Sequence, residues 1–405
     1  MNASWTLLRQ PMYRRLWTAQ TLATFGDAFF RVAQVALVLQ LGGAAVGLSG
    51  VLLANVLPGL LFSLVGGVWA DQFDRRCLLV ATNAGRAAGM ALLSGLMFTG
   101  HTALWQLYVL GVVFGSLSAL GNPAYNALLP RVIPEPQLQS GNALFSVGDS
   151  LGYVAGPALA GALLSLVGAG GLVAVTTGAL LWMVGTLLTL RVAPRAGTGA
   201  VSGSESLLAQ VRQGWRWMAR QPSMLLFLVM FAATNLATPV MGVALPLYVT
   251  QTLSERTAVY GLLLAAMNAG ILVASLLLAR VTLRRAALAS ALSLMTIGLS
   301  GYIGVGLTRS AIVAALLLAL ADGLSMVPNI LFPTWVQRSA PPELQGRVFG
   351  LVSVTTYALV PLGYVAAAAA MGIWTPPAAL IAAGVVLVLV PAAALVYRPF
   401  REAQV

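Results

Sequence analysis

Lysine is absent from this 405-residue chain, and all 22 of its basic residues are arginine. That usage fits the codon bias of a GC-rich, bacterial genome rather than a mechanism. Cysteine and histidine occur once each, at Cys77 and His101. A disulfide framework is therefore excluded, and there are too few soft ligands for a zinc site or a haem. Charge of any kind is scarce: 8% of residues are charged, against 59% hydrophobic. A water-soluble surface needs roughly 25% charged residues. A soluble chain is excluded, and the apolar runs recur from end to end, as in a polytopic membrane protein. The formal net charge of +12 would suggest a nucleic-acid partner in a soluble protein; in this chain the arginines read as orientation signals. The sequence has no nucleophile–base arrangement, paired histidine ligands or phosphate-binding loop, so no enzymatic activity is expected, and His101 stands alone. No cleavable signal peptide is apparent: the basic residues of "MNASWTLLRQPMYRR" precede a span too long for a signal h-region.

What is present is a series of long apolar runs. A bilayer core of ~30 Å takes about 20 residues of helix. On that measure the sequence predicts an all-α protein with twelve spans. They lie at roughly 17–41, 48–70, 77–98, 104–129, 140–167, 170–191, 223–251, 257–279, 284–306, 310–335, 343–371 and 376–397. With the first residue in the cytoplasm, eighteen arginines fall in inside segments and two, Arg256 and Arg309, outside. Arg31 and Arg86 lie within spans. The bias places both termini in the cytoplasm.

The longest polar stretch, "APRAGTGAVSGSES", reads as a flexible linker, and "LLAQVRQGWRWMARQ" after it has the spacing of a short interfacial helix. The halves on either side resemble each other. "GVLLANVLPGLLFSLVGGVWADQFDRR" from Gly50 matches "GLLLAAMNAGILVASLLLARVTLRR" from Gly261, and "PQLQSGNALF" matches "PELQGRVFG". Two six-helix bundles are expected, at 1–191 and 223–405, joined by a cytoplasmic linker at 192–222. This is the parallel-repeat plan of many transporters, with substrate bound near the midplane.

These features resemble the major facilitator superfamily. "GGVWADQFDRR" is similar to its cytoplasmic loop motif, with Gly67, Asp71, Asp74, Arg75 and Arg76 as the gating-loop candidates. Gln72 and Asp74 stand where the family usually has a basic residue and a glycine. The D-x-x-D-R-R form resembles the exporter branch that includes macrolide efflux proteins and the enterobactin exporter. "GYVAGPALAG" resembles the antiporter motif through Gly152, Gly156, Pro157 and Gly161. The resemblance implies a transporter of the bacterial inner membrane. It implies a proton-coupled exporter of small amphipathic compounds such as drugs, macrolide-like molecules or siderophores. A metabolite importer or facilitator of the same fold is the alternative. The expected partners are a small-molecule substrate and membrane lipid, with no nucleic acid, for a monomer needing no cofactor beyond the coupling protons.

Charges inside spans are costly, about 2.5–3.5 kcal/mol each at the bilayer centre. Asp27 and Arg31 lie four residues apart on one helix face, as either a self-neutralising pair or a proton switch. Asp149 and Asp322 are further proton-coupling candidates, each with a helix-packing hydrogen bond as its plainer role. Arg86 either snorkels to the cytoplasmic surface or faces the cavity, where it contacts substrate or Asp27. Gln34, Asn55, Asn122, Tyr125, Asn126, Asn235, Asn268, Asn329 and Tyr357 complete the candidate cavity lining, with Asn142, Tyr153 and Tyr364 beside them.

Overall fold

The computed structural model describes residues 7–72, 74–133, 137–190, 207–278, 280–281 and 285–402. No strand occurs among them. In lipid each backbone N–H and C=O needs an internal partner, and a continuous helix supplies one for every residue.

Nine helical runs among the described residues are long and apolar enough to cross a bilayer, with two shorter apolar helices at Ala44–Gly59 and Ala358–Ile373. In chain order the helices are α1 (Pro11–Gln40), α2 (Ala44–Gln72), α3 (Arg75–Phe98), α4 (Leu104–Val132) and α5 (Leu138–Thr189). Further along the chain come α6 (Leu207–Ala219), α7 (Pro222–Leu247), α8 (Thr257–Leu278), α9 (Ala286–Ile297), α10 (Ala311–Ser339), α11 (Pro342–Ile373), α12 (Pro376–Val396) and α13 (Arg398–Arg401). Alpha-helical bonding loosens into π-helical turns after α7, at Tyr248–Thr252, and after α9, at Gly298–Gly304.

Helix α5 counts 52 residues but is broken at Gly168, where φ is 69° and ψ is 178°. A side chain at that backbone angle would clash, so glycine is required there. The break falls between the expected spans 140–167 and 170–191 and gives α5 a first and a second limb.

The described helices group into two compact units. Unit one comprises residues 1–201 with 257–265, and unit two comprises 202–256 with 266–405. In unit one, α1 packs against both limbs of α5, α2 packs on α4, and α3 contacts α4 and α5. Its core gathers Tyr13, Leu16, Leu128, Phe145, Met183 and Leu187. The Tyr13 hydroxyl donates to the Gly141 carbonyl at 2.9 Å, and the Trp17 indole donates to the Leu144 carbonyl at 2.8 Å. These bonds satisfy the two polar tips that the apolar core would otherwise strand. In unit two, α7 packs on α11 and α12, and α9 on α10 and α12. Phe227, Phe231, Phe332 and Trp335 form its aromatic centre, with ring centroids 4.8–5.9 Å apart. Leu92, Leu166, Leu276 and Leu316 are exposed, which in a lipid solvent costs nothing.

Candidate functional site

Each unit holds one polar feature inside apolar helices, and the two are built differently. The unit-one cavity spans about 590 Å³, open mouth included, between α1, α3, α4 and the second limb of α5. Asp27 and Arg86 face each other across it and form an ion pair between α1 and α3. The Arg86 side chain is 18% exposed and that of Asp27 is 43% exposed. Thr24, Thr82, Asn83 and Tyr125 add polar groups to the wall. The Tyr125 hydroxyl and Arg86 Nε are buried with no hydrogen-bond partner among the described residues. One turn before Asp27, Thr24 donates to Asp149 of α5 at 2.9 Å and to the Gln20 carbonyl at 3.1 Å. Asp149 is thus held by a hydroxyl, and Asp27 by a full charge.

Arg31 is not the partner that its four-residue spacing suggests. It is exposed, and its guanidinium lies 5.6 Å from the centroid of the Tyr153 ring on α5, a cation–π contact. Physical circumstance favours Arg86. An in-helix pair at i, i+4 is worth only about 0.2–0.5 kcal/mol, whereas a guanidinium already buried on α3 must be neutralised. Of the two positions open to Arg86, the cavity is the one it occupies.

Further along α1, Gln34 accepts a hydrogen bond from the Asn55 amide of α2 at 3.1 Å, while Gln34 Nε2 has no partner among the described residues. Asn142 is exposed. The side chains of Asn122, Asn126, Tyr357, Gly67, Asp71 and Arg75 lie outside the described residues. The remaining loop residues make capping bonds. Asp74 is the N-cap of α3 and accepts from the Cys77 N–H at 2.9 Å. Arg76 donates to the carbonyls of Leu187 and Leu188 at 2.7 and 2.5 Å, satisfying the orphan acceptors at the end of α5.

The glycine–proline motif presents two faces. Toward α1, a β-carbon at Gly152 would lie 2.7 Å from Thr24 Cγ2, and one at Gly156 would lie 2.7 Å from Ala28 Cβ. Toward the first turns of α8, Gly161 meets the Ala258 carbonyl, and Gly261 meets the Pro157 carbonyl, each too closely for any side chain. Pro157 lacks the N–H that would continue the bonding of α5, so the motif is a crossing point as well as a bend.

The unit-two cavity is larger, about 690 Å³ with its mouth, and mostly apolar. Phe231, Met241, Met267, Leu294, Pro328 and Leu387 line it, with Tyr302, Thr234, Thr238 and Ser325 among the polar groups. Asp322 of α10 points into it. Its carboxylate has no hydrogen-bond or ionic partner among the described residues; the Ser325 hydroxyl donates to its backbone carbonyl instead, at 2.6 Å. Asn329 lies on the same wall and donates to the Ser325 carbonyl of its own helix at 2.8 Å. Asn235 likewise bonds within α7, to the Phe231 carbonyl at 2.8 Å. Asn268 has a partner. Tyr364 is half-buried on α11.

Thr24, Thr82, Asn83, Thr234, Thr238 and Tyr302 line the cavities without having stood out in the sequence. Only the i, i+4 spacing of Thr234 and Thr238 could have marked a polar stripe, and hydroxyls are too common in membrane helices to be noticed.

The profile of the transmembrane secretion effector family matches residues 2–404. The chain belongs to this family of the major facilitator superfamily. This superfamily member is 29% identical over 377 residues to the multidrug efflux pump Tap of Mycolicibacterium fortuitum, covering 89% of this chain and 88% of the pump. It is 22% identical over 360 residues to macrolide efflux protein A of Streptococcus pyogenes, covering 87% of each. Its fold matches the crystal structure of the nucleoside transporter NupG with a TM-score of 0.72, at 10% identity, over 96% of this chain and 99% of that one. It is a multi-pass transporter of the bacterial inner membrane, and members of its superfamily carry small molecules.

Proposed function

We propose that this transporter is a proton-coupled exporter of small amphipathic compounds, with a preference for those carrying a positive charge. The unpartnered Asp322 carboxylate in the apolar unit-two cavity carries this reading. Aromatic rings, methionines and a proline suit the hydrophobic body of a ligand, and a small number of polar groups fix its orientation. A carboxylate without a partner among the described residues favours a cation and disfavours an anion. Drug-like and macrolide-like amines therefore fit better than anionic siderophores. The efflux names of the Tap and macrolide-efflux relatives support the outward direction.

Asp27 and Arg86 are the coupling pair in this proposal. A proton on Asp27 cancels its charge and releases Arg86, while loss of the proton restores the pair. Energy for the cycle comes from the gradient, whose electrical part is about 2.3 kcal/mol per charge per 100 mV. The proposal includes twelve spans, both termini cytoplasmic, and bundles at 1–191 and 223–405 joined by the linker at 192–222. Two observations support the count. The apolar run Ser140–Thr189 has 50 residues, about 75 Å of helix and enough for two crossings. The two shorter apolar helices complete the set.

Transport in inverted membrane vesicles tests the reading. A lipophilic amine dye should accumulate when a gradient is imposed, and a protonophore should abolish its accumulation. Gradient-independent movement of a neutral metabolite, with no amine transport, would favour the importer and overturn the proposal.

A further inference from the structure

Helix α6 lies in the linker and contributes to neither cavity. Arg212 in its middle, Arg216 in its last turn and Arg220 just beyond it are spaced by four residues, so they fall on one side of the helical path. All three are exposed, with no hydrogen-bond or ionic partner among the described residues. Trp215 is 47% exposed beside them. The side away from Arg216 faces protein through Met218, which is fully buried, and Gln213, on the flank beside the arginines, accepts a hydrogen bond from Arg347 near the start of α11. The helix is thus fixed by one side and presents three arginines and an indole on the other.

The rest of unit two is biased the same way at this end. With the spans alternating in direction, as the proposed twelve-span topology has them, the chain ends of α8, α10 and α12 and the starts of α7, α9 and α11 share one side. Arg280, Arg285, Arg338, Arg398 and Arg401 are exposed there. In the sequence of these segments, opposing charge at that end comes from Glu343, in the first turn of α11, and Glu402. An indole is at home at the depth of the headgroups, and exposed guanidiniums bind phosphate well.

We infer that the Arg212–Arg216–Arg220 side of α6 binds the phosphate headgroups of anionic phospholipid, and that this lipid clamps α6 in its contact with α11. The consequence reaches the cavity wall through packing. In α11, Gly363 sits against Pro239 and the Leu236 carbonyl of α7, with a β-carbon there 2.7 and 3.0 Å from them. Helix α7 carries Thr234, Thr238 and Met241 of the cavity. The inference is independent of export direction and cargo.

The purified full-length transporter in vesicles provides the test. Acyl-brominated phosphatidylglycerol and acyl-brominated phosphatidylethanolamine are compared as quenchers of tryptophan fluorescence, with Trp215→Phe defining the part that comes from Trp215. Each arginine near a charged surface contributes about a fivefold preference for anionic lipid. The wild type should show Trp215 quenching by the anionic lipid at a several-fold lower mole fraction than by the zwitterionic one, and added salt should shrink the difference. R212Q/R216Q/R220Q should lose the preference, and R212K/R216K/R220K should keep most of it. Equal quenching by both lipids in the wild type would overturn the inference, as would an unchanged preference in the triple glutamine variant. Because quenching needs no turnover, a failed transport assay leaves this result readable.

Discussion

The two cavities handle a carboxylate in opposite ways. In unit one, Asp27 faces Arg86, and a neighbouring acid, Asp149, is held by Thr24. In unit two, Asp322 sits among aromatic and aliphatic walls without a partner among the described residues. An ion pair inside a protein is self-contained, and its state changes only when a proton or a competing charge arrives. An unpaired carboxylate invites a charge from outside. The difference separates a coupling device from a ligand-binding one, within the proposal that this transporter exports amphipathic cations against a proton gradient.

The strongest test of that contrast is Asp27→Asn, which removes the titratable half of the pair. Gradient-driven accumulation in vesicles should fall to background, about a hundredfold or more, while insertion in the membrane is retained. A variant that still concentrates substrate would take Asp27 out of the mechanism. Gly161→Val should act nearly as strongly by another route. Valine would drive into the Ala258 carbonyl, and the crossing of α5 with the first turns of α8 would have to open. Coupled transport should turn into leak, read as substrate equilibration after the gradient is collapsed. Unchanged coupling would reduce the motif to a packing face.

Asp322→Asn sharpens the comparison from the other side. A hydrogen bond or contact to a charged group is worth about 1.5–3 kcal/mol, so transport of a cationic substrate should weaken roughly tenfold or more through KM. A neutral substrate of similar size should change less than about twofold. Equal losses for both would assign Asp322 to folding or coupling. Arg86→Gln removes the other half of the pair; apart from its effect on coupling, it leaves Asp27 alone, gives unit one the arrangement of unit two and is read through stability. Stability should drop by up to about 1 kcal/mol, because the Asp27 left behind is partly exposed and water screens its charge. Asp27→Asn combined with Arg86→Gln should regain most of that loss, since removal of both charges is often nearly neutral. Thermal unfolding of the four proteins in detergent measures the cycle, and simple additivity would mean that the pair contributes no coupling energy.

Much of this protein could be read from its residues one at a time. The membrane class followed from the scarcity of charge, and the family from the "GGVWADQFDRR" and "GYVAGPALAG" segments. The break in α5 was visible in "LVGAGG", because three glycines within four positions (Gly168, Gly170 and Gly171) interrupt an otherwise unbroken apolar run. The unusual acids were also visible, since a charge within an apolar span needs no alignment to be noticed. Their partners were not. Arg31 was the natural choice for Asp27 by spacing along one helix, yet the bond comes from Arg86, 59 residues away. Likewise Arg76 and Asp74 stood out as gate candidates, while the helix-capping bonds that both make were not legible in the sequence.

Local physics accounts for the division. Helix formation in lipid depends on runs of about 20 residues and on bonds between residues four apart, so sequence alone determined an all-helical membrane chain and the places where charge intrudes. Which charge meets which, and which carboxylate is left alone, depends on the side each helix turns to its neighbours. Those facings are set by small-residue crossings such as Gly161 on Ala258 and Gly152 on Thr24, between segments far apart in the chain, and only the tertiary structure decided them.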